Sequence, residues 1–218
     1  MEIAFLLYDG FTALDAVGPY EVLSRLPGAE VKFVAVESGP KTTETHSLSM
    51  VADYSLDDVT EPEILVVPGG FGTRRLLEDQ ELMDWLRAAH EKTTWTTSVC
   101  TGSLLLGAAG ILEGLRATSH WAVIDRLADF GAIPTRERVV EEGKVVTAAG
   151  VSSGIDMGLR LAERIGGEDL AKGIQLGIEY DPDPPFDAGS PDTAPPHIVE
   201  LLKSLLEQAE ANAQAETA

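Results

Sequence analysis

Thr97-Ser98-Val99-Cys100-Thr101-Gly102-Ser103 is the stretch on which the reading of this chain turns. It lies between a β-rich run, Thr94–Val99, and an apolar helical run, Gly102–Ala109. Small residues stand two before and two after Cys100. That spacing is the signature of a nucleophile elbow, a strand-to-helix turn so tight that bulky neighbours would clash. The elbow is expected to leave the cysteine exposed at the C-terminal edge of a sheet, where the start of the helix favours the reactive thiolate. A free cysteine is also commonly a small buried hydrophobe with no chemistry. The spacing alone leaves both readings open.

The rest of the chain places this turn in an α/β pattern. Ile3–Leu7, Val31–Val36 and Ile64–Val67 read as short strands. Several lack polar alternation, as parallel strands buried on both faces do. Val139–Val140 and Val145–Thr147 flank Glu142-Gly143, a hairpin signal. Helical spacing appears over Ala13–Leu26, Asp79–Glu91, Trp121–Phe130, Gly154–Ile165 and Asp169–Ile178. Strands alternating with helices predict an open, mostly parallel sheet covered on both faces. Asp181–Pro196, rich in Pro and Asp, is expected to form an irregular ordered arm, followed by an amphipathic helix over His197–Gln208. Residues 209–218 are expected to fray or be disordered. With no linker-like break up to Ile178, residues 1–208 are expected to form one domain.

Composition narrows the function. Sixteen Lys and Arg face 36 Asp and Glu, a formal net charge of −20. Such a surface repels phosphate backbones, so nucleic acid is not an expected partner. The 44% hydrophobic content argues against disorder, and the charge reads as a solvating surface suited to a salt-rich cytoplasm, a halophilic reading. No apolar stretch approaches the ~20 residues of a membrane span, and the N-terminus lacks the pattern of a signal peptide. A cytoplasmic protein is therefore expected, its lone thiol reduced and no membrane among its partners. One cysteine forms no intrachain disulfide, and no Cys/His cluster has zinc-ligand spacing.

Two further loops follow predicted strands. In Val66-Val67-Pro68-Gly69-Gly70-Phe71-Gly72, glycines let backbone N–H groups approach a ligand closely. The Gly70 N–H paired with that of Thr101 could form an oxyanion hole; a plain turn is the simpler reading. Asp15 lies beyond the first strand, at the sheet edge where open α/β folds bind ligands, or serves only as a helix-start carboxylate. His120, in Thr118-Ser119-His120-Trp121, could pair with Cys100 or merely line the following helix. His46, His90 and His197 have no such context.

Taken in order, these segments resemble the DJ-1/PfpI (ThiJ) superfamily of the class I glutamine amidotransferase-like fold. The resemblance rests on Leu14-Asp15 with Gly18-Pro19, Pro68-Gly69-Gly70, Val99-Cys100-Thr101-Gly102 and Thr118-Ser119-His120-Trp121, and runs from about Glu2 to Pro196. It implies a flavodoxin-like three-layer sandwich and, commonly, a homodimer. Thr147–Asp156 and Ile178–Gly189 resemble the isonitrile hydratase branch, as does an aspartate at position 15 where many members carry glutamate. The branch implies a small-molecule substrate and no cofactor or metal. It implies Cys100 as nucleophile on R–N≡C, Asp15 as proton-transfer partner, Thr101 as contributor through its hydroxyl or N–H, and a Cys100 thioimidate that hydrolyses to an N-substituted formamide. Gly69, Gly70, Thr101 and His120 would line the substrate. The same superfamily includes amidases or peptidases, glyoxalase-type enzymes, redox or ligand sensors, and transcription regulators with a C-terminal DNA-binding module. Ending at Ala218, this chain is expected to lack that module.

Overall fold

The structure, a computed structural model, describes residues 1–215, with side-chain surroundings through residue 209. The strands are β1 (Glu2–Leu6), β2 (Glu30–Ala35), β3 (Gly39–Thr42), β4 (Ser49–Ala52), β5 (Tyr54–Ser55), β6 (Ile64–Val67), β7 (Trp95–Val99), β8 (Arg116–Ala117), β9 (Ile133–Pro134), β10 (Val139–Glu142) and β11 (Val145–Ala148). The α-helices are α1 (Ala13–Leu23), α2 (Thr73–Leu76), α3 (Gln80–Lys92), α4 (Gly102–Ala108), α5 (Ser153–Gly166), α6 (Glu168–Gly177) and α7 (Pro196–Ala215). The central sheet has the order β10-β11-β7-β6-β1-β2-β5 and is parallel except for the β10–β11 hairpin.

β6, and β1 from Ile3 onward, are apolar throughout because each feeds two cores. Side chains alternate across a sheet. Ile3 and Phe5 of β1, with Ile64 and Val66 of β6, therefore join Val22, Met157 and Leu161 on the α1–α5 face. Ala4 and Leu6, with Leu65 and Val67, join Leu82, Leu86, Leu104 and Leu105 on the α3–α4 face. Full burial of such aliphatic side chains contributes roughly 1.5–3 kcal/mol each. Helices cover both faces, giving the three-layer α/β sandwich expected from the strand–helix alternation.

The chain passes from β1 to β2 on one side and later to β6 on the other. The sheet's topological switch thus lies between β1 and β6, and ligands of open α/β sheets bind outside the C-terminal strand ends at such a point. The loops after β1, β6 and β7 converge there, bringing Asp15, Gly69-Gly70 and Cys100 to one edge.

Two expectations change. The segment Trp121–Phe130 is not an α-helix. The Val123 and Arg126 N–H groups bond carbonyls three residues back, those of His120 and Val123, and a 3₁₀ segment forms over Ile124–Phe130. Helix α7 runs to Ala215, so residues 209–215 are helical where fraying was expected; residues 216–218 lie outside the described residues. The chain divides into two compact units, Met1–Glu179 and the part from Tyr180 on; the expected domain over 1–208 spans both. Residues 181–195 of the second unit form no regular element before α7 begins. Among the described residues, no helix is long and apolar enough to cross a membrane.

Candidate active site

Cys100 sits between β7 and α4 with φ 58°, the left-handed region that β-carbon-bearing residues rarely occupy. Four hydrogen bonds hold it there. Its N–H donates to the carbonyls of Ala148 (3.0 Å) and Ala149 (2.9 Å). Its carbonyl accepts from the Ser103 hydroxyl at 3.1 Å and the Ser119 hydroxyl at 3.0 Å. Such strain costs on the order of 1–3 kcal/mol and persists only when the surroundings over-determine it. The elbow also explains Gly102: a Cβ there would meet the Val67 and Pro68 carbonyl oxygens. Gly102 is thus small because the turn folds back onto the end of β6.

The thiol itself departs from expectation. Cys100 is only 5% exposed. Burial pushes its pKa well above the ordinary value, and the carboxyl groups of Asp15 and Glu44 push it further. The N–H groups of Thr101 and Val151 reach the sulfur and oppose this shift but do not overcome it. The start of α4 therefore does not make Cys100 a resting thiolate; desolvation and negative neighbours keep the proton on sulfur.

Asp15 lies in the first turn of α1 and is 0% exposed. Its Oδ2 accepts the Gly69 N–H at 2.8 Å. Its Oδ1 is buried without a partner of strict hydrogen-bond geometry, while the Cys100 thiol lies close enough to lower the carboxyl's pKa. Burial dominates and raises Asp15 to about 7; the Gly69 N–H opposes the rise and Glu44 adds to it. Asp15 is thus a carboxyl group that exchanges its proton near neutrality, which is what a general acid or base requires.

The glycine loop is arranged differently from the expected oxyanion hole. Gly70, with φ 138°, presses so close to the preceding loop that a Cβ would meet the Gly10 carbonyl oxygen. This conformation aims its N–H at the Thr101 hydroxyl, 2.8 Å away. The Gly69 N–H is engaged by Asp15 and the Thr101 N–H by the Cys100 sulfur. The amides meant for an anion therefore hold the acid, the sulfur and the Thr101 hydroxyl. Thr73 stabilises the loop by donating its hydroxyl to the Gly70 carbonyl at 2.8 Å.

His120 is not joined to Cys100 by a hydrogen bond among the described residues. Its Nδ1 accepts the Ala122 N–H at 3.3 Å, its ring packs over Gly150, and Trp121 lies beside it at 5.5 Å between centroids. Burial lowers its pKa, so it stands neutral with the proton on Nε2. Among the described residues no group of His, Cys, Asp and Glu has the arrangement of a metal site.

Three neighbours of the pair escaped the sequence reading. Tyr8, in the loop just after β1, donates its hydroxyl to the Pro68 carbonyl at 2.7 Å and is kept neutral by burial and by Asp15. Val151, at φ 39°, brings its N–H to the sulfur. Glu44, on the β3–β4 turn, raises the pKa of both Asp15 and Cys100. Tyr8 adjoins Asp9-Gly10 at a strand end and could have been found from that position. The other two carry no local signal.

A doubly covered parallel sheet with a strained cysteine at the C-terminal end of the strand beside its switch point defines a class. The DJ-1/PfpI family profile matches residues 1–164, and the chain belongs to this family. Isonitrile hydratase from Pseudomonas putida is 44% identical over 200 residues, covering 92% of this chain and 87% of the relative. The HTH-type transcriptional regulator CdhR of Pseudomonas aeruginosa is 29% identical over 183 residues, covering 81% of this chain but 53% of the regulator. Among solved structures, a ThiJ/PfpI family protein from Pseudomonas syringae aligns with a TM-score of 0.92 at 40% identity, covering 96% of this chain and 89% of that one.

Proposed function

We propose that the protein is a cysteine-dependent hydratase of organic isonitriles, converting R–N≡C and water to R–NH–CHO. The observation that carries this reading is the buried carboxyl of Asp15, with a pKa near 7, beside a protonated Cys100. The likeness to isonitrile hydratase over most of both chains supports it. An isonitrile carbon takes up a proton before it becomes a good electrophile, and the site offers an acid rather than a thiolate.

In this mechanism Asp15 gives its proton to the terminal carbon of the substrate. The Cys100 sulfur adds to the same carbon, and its thiol proton passes to the Asp15 carboxylate. The product is the thioimidate R–N=CH–S–Cys100, and Asp15 is again protonated. Water then adds to the C=N bond: Asp15 gives its proton to nitrogen and takes one from water. The C–S bond of the adduct breaks, the hydroxyl proton returns to sulfur, and the formamide leaves. Thr101 and Val151 stabilise the sulfur through their N–H groups. The Thr101 hydroxyl, Gly69 and Gly70 shape the substrate's path, and His120 lines it as a neutral donor.

The test is formamide production from a simple alkyl isonitrile. Cys100→Ala abolishes it. Asp15→Asn lowers it by roughly 10²–10⁴-fold, the usual contribution of a general acid–base group. His120→Ala lowers it less. Near-normal turnover by Asp15→Asn with loss in His120→Ala would replace this assignment with a Cys–His enzyme. A stable oxidised Cys100 without turnover would favour a sensing domain, the reading that the regulator among the relatives supports. We also propose a cytoplasmic homodimer, on family likeness and on the exposed apolar stripe Ile198, Leu201, Leu202 and Leu205 of α7.

A further inference from the structure

Glu44 belongs to the β3–β4 turn, outside every loop that carries the proposed chemistry. Its half-buried carboxylate is fixed by two donors. The Thr12 hydroxyl reaches Oε1 at 2.9 Å, and the Phe71 N–H reaches Oε2 at 3.2 Å. Its own N–H donates to the Phe11 carbonyl at 3.0 Å, and the preceding Thr43 bridges Phe11. Thr12 is the N-cap of α1, three residues before Asp15; Phe71 follows the Gly69-Gly70 pair that holds Asp15 and Thr101. One side chain thus clamps the two loops that build the acid's surroundings. A carboxylate is suited to this task because both its oxygens accept; the amide of glutamine at the same length would turn a donor toward one of the two donors.

We propose that Glu44 is a positioning residue for Asp15: held by Thr12 and Phe71, it presents a fixed negative charge that favours the protonated acid and keeps the two loops in register. The inference rests on the reading of Asp15 as the proton-transfer group. Its geometry is that of a second carboxylate that cannot swing away, and a like charge disfavours ionisation of its neighbour. The other ionisable groups at the site are Cys100 from the elbow, Tyr8 from the loop after β1 and His120, all held neutral. Arg74 of α2 stacks over the Phe71 ring at 5.0 Å. Glu44 raises the pKa of Asp15, Cys100 and Tyr8 alike, as a shared electrostatic neighbour would.

The experiment titrates Asp15 directly by carboxyl-carbon NMR in the wild type, Glu44→Gln and Glu44→Asp, alongside the pH profile of kcat/KM. Glu44→Gln moves the Asp15 midpoint from about 7 to the acid side. The decline of kcat/KM with rising pH moves the same way, because the acid is lost at lower pH. Glu44→Asp, which keeps the charge, restores the midpoint toward the wild type. An unchanged midpoint in Glu44→Gln, or the same shift in both variants, overturns the proposal. If Glu44→Gln does not fold, Thr12→Val releases the carboxylate from one anchor and shifts the midpoint in the same direction; no shift there refutes it. Absence of turnover in the wild type would remove the hydratase reading and leave the titration to decide the role of Glu44.

Discussion

Replacing Asp15 by asparagine exposes the energetic consequence of the buried acid. Asp15 has a pKa of about 7 in the folded protein against 3.8 for a free side chain, a rise of about 3. At about 1.36 kcal/mol per pH unit, ionising it in place costs about 4 kcal/mol more than in the unfolded chain. A carboxyl whose folded pKa is raised stabilises most below its unfolded pKa and loses that stability as pH rises through the folded one. The wild type therefore loses stability between about pH 4 and pH 7, and the full penalty stands above that window. The asparagine of the variant never ionises and escapes the penalty. It brings an amide N–H₂ where Oδ1 had no strict partner, which costs about 1–3 kcal/mol at every pH. Subtracting results at two pH values cancels this constant. Denaturant unfolding of the wild type and Asp15→Asn at about pH 4 and about pH 8.5 reads the difference. The variant gains on the wild type by about 4 kcal/mol between the two conditions. A stability difference that stays flat across this range would show that Asp15 ionises as easily folded as unfolded, and would refute both its burial and its use as an acid.

Two further expectations concern the whole molecule. With a net charge of −20, thermal midpoints rise from low salt to molar KCl as screening relieves carboxylate repulsion; an unchanged or lower midpoint removes the halophilic reading. Light scattering gives twice the chain mass at micromolar concentration; monomer mass across that range removes the proposed dimer.

The sequence was most informative where one physical constraint acted on contiguous residues. Ile64–Val67 is a strand to the residue because four apolar side chains bounded by Glu63 and Pro68 alternate into two cores. The elbow was legible because its clash limits fall at fixed positions around Cys100. Trp121–Phe130 misled because its apolar spacing suits a helix, while the three-residue bonds of Val123 and Arg126 that make it 3₁₀ are not encoded in periodicity. Glu44 was invisible for a related reason. Lys41-Thr42-Thr43-Glu44-Thr45-His46 has neither hydrophobic alternation nor a strong turn signal, so the β3–β4 hairpin and its carboxylate emerge only from tertiary contacts.

The proton inventory of the site follows from the same distinction between local and tertiary effects. Read locally, the elbow supplies amides to the sulfur and suggests a thiolate. In the folded chain those amides remain, from Thr101 and Val151, but burial and two carboxyl groups outweigh them. A thiolate site would call for a cation beside the sulfur, and His120, the candidate for that part, is neutral and has its Nδ1 on the Ala122 N–H. Asp15 titrates first, near 7, and Cys100 well above its ordinary range, so below neutrality the pair holds two protons. A site charged in this way suits a substrate whose reacting carbon accepts a proton before it accepts sulfur. Under the proposed hydratase reading an amide or ester is the poorer substrate, because a thiolate must attack it first and its oxyanion must find free donors, while the Gly69 and Gly70 N–H groups are engaged by Asp15 and Thr101. The discrimination between these chemistries therefore lies in where the loops direct their N–H groups and in the burial of one aspartate, rather than in the identity of the nucleophile.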